Sequence, residues 1–131
     1  MGKPAIESPT SCQFALGPHA DAAPCARLAV QEALVRWGLP ELLEDARLIA
    51  GELVTNAAKL GEDFRFVLTR EDEALLIEVF DSSEAEPVVR DAYADASSED
   101  GRGMMLVTAL AADWGVRRQS RGKSVWARVS R

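Results

Sequence analysis

Residues 64–81 read FRFVLTREDEALLIEVFD. Phe64, Phe66 and Leu68 recur at every second position, and so do Leu75, Ile77 and Val79 beyond the polar link REDE. A two-residue period belongs to a strand, because successive side chains leave the pleated backbone on opposite faces. Two such runs joined by a short polar link predict a β-hairpin and therefore an antiparallel pair. The other phase carries Arg65, Thr69 and Glu78, with Arg117 in a later run, so the sheet is expected to have one apolar face and one wet face. The apolar face needs a covering layer.

That layer is legible on both sides of the hairpin. Upstream, Leu42, Leu43, Ala46, Ile49, Ala50, Leu53, Val54 and Ala57 recur at three- and four-residue steps between Pro40 and Gly61, the strongest helical period in the chain. An earlier helix is predicted from about Asp21, with Pro24 in its first turn, a stripe of Leu28, Leu34, Val35 and Trp37, and Gly38 as its stop. Before it, Cys12, Phe14 and Leu16 alternate in SCQFALG and predict a first strand, preceded by a flexible arm over residues 1–10 that contains Pro4 and Pro9.

Downstream, residues after Asp81 turn abruptly polar, with Glu84, Glu86, Asp91, Asp95, Glu99 and Asp100 against Arg90, and predict a loop or lid over about 82–102. GRGMMLVTALAADW resumes helical spacing through Met105 or Leu106, Val107, Leu110 and Ala111. WGVRRQ and SVWARVS, joined by SRGK, predict a second hairpin. The expected fold is an α/β (α+β) two-layer sandwich over residues 11–131: a mixed, mainly antiparallel sheet with three helices on one face.

With 131 residues, 47% of them hydrophobic, the chain suits one domain with a real core. A formal charge of -6 argues against direct nucleic-acid or anionic-membrane binding, since both rely on a positive surface. Cys12 and Cys25 have no CxxC spacing and no histidine pair beside them, which excludes the usual zinc and redox motifs. The polar start MGKPAIESPTSC and the lack of a long apolar run lead to a cytoplasmic expectation.

Three stretches could carry chemistry. GKS at residues 122–124 is a decoy for a phosphate loop, because the earlier glycine would fall at Arg117 and the following run is strand-like. GRG at residues 101–103 precedes a helix, where free N–H groups and the dipole attract phosphate oxygens; acidic neighbours would then call for a divalent cation. Glu52 and Asn56, four residues apart in GELVTNAAKLG, share one side of a helix at the edge of its apolar stripe. On spacing alone they fit a solvated face, or a cleft edge offering an amide oxygen to a hard cation and a carboxylate to a proton. Asp81 fits an ordinary strand-ending turn or a buried acceptor for an amino group such as that of adenine, and Ser124 fits a structural role or an extension of that network.

In order, ELVTNA, FDSS, GRGMMLV and GKSVWA resemble the Bergerat-type ATP-binding fold of gyrase, heat-shock chaperones, histidine kinases and mismatch-repair proteins, and most closely the anti-sigma factor serine kinases, from Cys12 onward. The resemblance implies ATP and Mg²⁺, with Asn56 as the metal ligand and Glu52 as the base that takes a proton from a serine hydroxyl. It places Asp81 on the adenine amino group with Ser124 assisting, and Lys59, Ser83, Gly101, Arg102, Gly103 and Met104 around the nucleotide. The chain departs from such relatives at Leu60, where many carry a basic residue, at Ser83, where the wider fold has glycine, and in its glycine-poor lid.

By resemblance the function is an anti-sigma factor with serine/threonine kinase activity towards an anti-anti-sigma protein, acting as a homodimer. The alternative is a regulatory module that sequesters a protein partner without turnover. Glu52 favours the kinase; Leu60 and the lid favour the module. An autophosphorylating histidine kinase is disfavoured, because His19 is the only histidine and lies in a GPHAD loop.

Overall fold

The computed structural model describes residues 6–8, 10–82 and 99–131, with backbone alone for 6–8 and 99–103. In chain order the elements are β1 (Ile6–Ser8), β2 (Ser11–Leu16), α1 (Ala22–Trp37), a 3-10 turn at Pro40–Leu42, α2 (Leu43–Ala58), β3 (Phe64–Glu71), β4 (Ala74–Asp81), α3 (Glu99–Leu110), β5 (Asp113–Arg118) and β6 (Lys123–Ser130). The six strands form one sheet in the order β1-β2-β3-β4-β6-β5. Every described pair is antiparallel, as the expected mainly antiparallel sheet requires.

The hairpin reading holds: Phe66 faces Val79 and Leu68 faces Ile77 across β3 and β4. These side chains, with Leu75, Val125, Ala127 and Val129, form the sheet's contribution to one core. α2 runs between α1 and α3 and packs on β3, β4 and β6. Its predicted stripe is buried as expected, with Ala46, Ile49, Ala50, Leu53, Val54 and Ala57 all inside. β5, the edge strand paired with β6, also packs against α3.

Several expectations need correction. Ile6–Ser8, assigned to the arm, forms an edge strand with Ile6 opposite Gln13 and Ser8 opposite Ser11; an exposed edge of β2 offers unpaired backbone groups that a short segment can take. Residues 1–5 and 9 of that arm lie outside the described residues. In α1 the buried face is Ala26, Ala29, Val30, Ala33, Leu34 and Trp37, while Leu28 and Val35 are 43% and 72% exposed. The buried face is made largely of small side chains, and Gly51 of α2 leaves room for the Arg27 side chain of α1, whose Nη1 would lie 3.1 Å from a Cβ there. In α3 the buried residues are Met104 and Val107, with Met105 and Leu106 half-buried.

The lid boundary also moves. α3 starts at Glu99, so residues 99–102 are helical, and acidic Glu99 and Asp100 suit the positive end of the helix dipole. Residues 83–98 of the expected lid, Ser83 included, lie outside the described residues.

The second face of the sheet is less wet than predicted. Arg65 lies 4.5 Å above the Phe80 ring, and Arg117 and Arg128 flank Trp126 at 5.1 and 5.4 Å. Beneath them Glu78 is buried, accepting from Ser124 Oγ at 3.1 Å and pairing with Arg117 at 3.5 Å. Arginine stems and guanidinium planes thus cover apolar surface while their charge is met by acids. Arg128 donates to Glu71 and Asp113, and these bonds raise its already high pKa.

Candidate functional site

The C-terminal half of α2 carries Glu52 and Asn56, both half-buried, one helical turn apart. Asn56 Nδ2 donates to Met104 Sδ at 3.5 Å. This contact is what the sequence could only suppose: the amide-bearing helix meets α3 at the residue that follows Gly103. Met104 is held in turn, because Thr108 Oγ1 donates to its carbonyl oxygen at 2.8 Å and Trp114 Nε1 donates to Thr108 Oγ1 at 3.1 Å. α3 is therefore tied to β5 behind the site and to α2 in front of it.

Gly101, Arg102 and Gly103 occupy the third to fifth positions of α3. In an α-helix beginning at Glu99, the unpaired N–H groups extend to Gly101, whereas the N–H of Gly103 falls inside the helical ladder. An anion drawn to this helix start meets Gly101 and the residues ahead of it rather than Gly103. Lys59 closes α2 and is exposed; with His19, Thr55 and Ala58 it lines a separate cavity of about 280 Å³ beside the loop that enters α1. Leu60 is 44% exposed.

Asp81, the last residue of β4, is directly opposite Lys123, the first of β6. Lys123 Nζ lies 3.2 Å from Asp81 Oδ1, and the two side chains are only 5% and 6% exposed. Gly122 is what permits this closeness. Its φ is +80°, and a Cβ there would stand 1.8 Å from the Asp81 carbonyl oxygen. Asp81, Ser82 and Lys123 contribute to a cleft of about 400 Å³ at the strand ends, together with Phe64, Phe80 and Arg121. Ser82 Oγ donates to Glu62, which links the end of β4 to the α2–β3 connection.

Ser124 is a correction. Its register partner is Phe80, one residue out of phase with Asp81, so its side chain leaves the opposite face of the sheet and bonds Glu78. It shares no site with Asp81. Lys123 is the residue sequence reasoning missed, although the signal was available: Lys123 is in phase with Val125, Ala127 and Val129, just as Asp81 is in phase with Ile77 and Val79. Both alternations aim the pair at the helical layer.

Residues 17–129 match the family model described as histidine kinase-like ATPase domain. The chain belongs to this family. A histidine kinase-like ATPase domain is an ATP-binding fold, and the match spans α1 through almost all of β6, so the helix pair and the strand-end carboxylate lie within it. A search of curated proteins finds no match.

Among the described residues of the ATPase domain no group of three or more His, Cys, Asp or Glu side chains is placed to hold a metal ion. With Nδ2 turned to Met104, Asn56 keeps an amide oxygen as a hard ligand. One such oxygen suits an ion that arrives on phosphates and keeps most of its waters, as Mg²⁺ does, and not a resident protein-caged ion. Among the described residues no helix is long and apolar enough to cross a membrane.

Proposed function

We propose that this ATPase-family domain binds Mg²⁺–ATP and transfers the γ-phosphoryl group to a serine or threonine of a partner protein, acting as an anti-sigma factor whose antagonist is the phosphoryl acceptor. The observation that supports it best is the Asn56–Met104 contact, because it brings the Asn56 amide to the second turn of α3, next to the glycines of its first. In this reading the N–H groups up to Gly101 meet the phosphates, with Arg102 in the same turn of α3, and Lys59 adds positive charge from the end of α2. Asp81 accepts from the base. Mg²⁺, with Asn56 as its protein ligand, would neutralise charge on the transferring group.

Glu52 is the general base. It takes the acceptor hydroxyl proton as the hydroxyl oxygen bonds to the γ-phosphorus and the bond to the ADP oxygen breaks; Glu52 then holds the proton until solvent removes it. A half-buried carboxylate suits this task, being reachable by a partner side chain yet shielded from bulk water. The proposal includes a cytoplasmic homodimer pairing through α1 and the first strands, for which exposed Leu28 and Val35 are the supporting feature.

A second reading, a module that sequesters its partner without turnover, is favoured by Leu60, an exposed apolar residue where many relatives carry a basic one. Incubation with labelled ATP and candidate antagonist proteins separates the two. Label on a partner serine, lost in Glu52→Ala but with ATP binding retained, is the kinase outcome. Mg²⁺-dependent ATP affinity that is equal in wild type and Asn56→Ala would remove Asn56 from the site.

A further inference from the structure

Among the described residues Lys123 is the one buried cation. Removing an ammonium from water is strongly unfavourable unless a counter-charge accompanies it, and separating a buried pair leaves a bare charge behind. The backbone adds a second constraint. Asp81 and Lys123 are directly paired in the β4–β6 ladder, so the start of β6 and the end of β4 are held side by side. Asp81 and Lys123 therefore stay together, and both line the strand-end cleft.

This changes what the carboxylate selects. An ionised aspartate alone presents only acceptors, so it welcomes the 6-amino group of adenine and repels a 6-oxo edge. An aspartate joined to an ammonium presents an acceptor and a donor side by side. Adenine can then give its amino hydrogen to Asp81 and accept at its ring nitrogen from Lys123, while a 6-oxo purine can accept at O6 from Lys123 and give its ring N–H to Asp81.

Resting on the reading of Asp81 as the base contact, we propose that Lys123 is the residue that sets base specificity, and that it makes the subsite accept 6-oxo purine nucleotides as well as adenine nucleotides. The ATP/ITP pair tests this most directly, because ITP differs from ATP at the 6-position and the adjoining ring nitrogen only. Calorimetric titration of the full chain with Mg²⁺–ATP, Mg²⁺–ITP and Mg²⁺–GTP should give wild-type affinities within about threefold of one another. Lys123→Ser should favour ATP over ITP by about tenfold or more, while Lys123→Arg, which retains a buried donor, should keep the tolerance.

Wild type preferring ATP over ITP by tenfold or more would overturn the proposal, as would an ATP/ITP ratio unchanged in a folded Lys123→Ser chain. The wild-type ratio decides even if the serine variant does not fold. Wild type that binds no nucleotide would remove the role of Asp81 itself, whereas ATP-selective binding would remove only the role of Lys123.

Discussion

Replacing Gly122 by alanine tests the closest backbone approach in the site. Two terms oppose it. At φ +80° an L side chain sits in the left-handed region, which costs about 1–2 kcal/mol. The new Cβ would also stand 1.8 Å from the Asp81 carbonyl oxygen, 2.6 Å from Ser82 Cα and 2.8 Å from the Asp81 carbonyl carbon. These are backbone atoms, which cannot rotate aside, so overpacking adds about 1–3 kcal/mol or more. Together the loss is roughly 2–5 kcal/mol, a large share of the ~5–15 kcal/mol that holds a domain folded. Gly61→Ala is the matched control: φ is +76° and nothing lies within 4 Å of the added Cβ, so only the backbone term applies. Urea unfolding of the three proteins with a common m value should place Gly122→Ala below Gly61→Ala by at least about 1 kcal/mol. Equal midpoints for the two variants would refute the claim that β6 is wedged against the end of β4.

Gly51→Ala should behave in the opposite way, because the atom its Cβ approaches at 3.1 Å is the tip of the flexible Arg27 side chain; relief of a mid-helix glycine should leave stability unchanged or raised by up to about 1 kcal/mol in the same assay. Ser124→Ala should cost about 1–3 kcal/mol by leaving buried Glu78 short of a donor, with nucleotide affinity within about twofold of wild type, since Ser124 faces away from Asp81. A backbone hydrogen bond, then the Arg131 side chain, holds the Glu41 carboxyl below the ordinary glutamate range. Its folded pKa being depressed, the associated stabilisation is complete above the unfolded value and is lost as pH falls through the folded one. An NMR titration should therefore find the native Glu41 midpoint below that of the urea-unfolded chain, and Arg131→Ala should move it part of the way back.

Periodicity located the elements well because each pattern has one local cause. The alternation in β3 and β4 and the helical spacing of α2 each mark the face turned to the shared core, and both were legible, although β4 is buried on its second face as well. α1 was misread in part because apolar residues occur around its circumference: Leu34 and Trp37 are buried as expected, but the rest of the buried face is alanine and Val30, and Leu28 and Val35 are exposed. β1 was missed because three residues, IES, carry too little pattern, and only the open edge of β2 gives them a partner. Ser124 was set beside Asp81 by the resemblance of GKSVWA to such relatives, whereas strand register sends its side chain through to the other face.

What the sequence determined alone was the identity of the layers: periods of two and near four follow from backbone geometry, and they specify a sheet with one helical cover whatever the partners are. What only the tertiary structure decided was which polar groups meet. The contact of Asn56 with Met104, 48 residues on, and that of Asp81 with Lys123, 42 residues on, follow from how α3 docks on α2 and how β6 pairs with β4. Burial gives the second contact its force, because a carboxylate withdrawn from water must keep a counter-charge, and no local pattern states which residue will supply it.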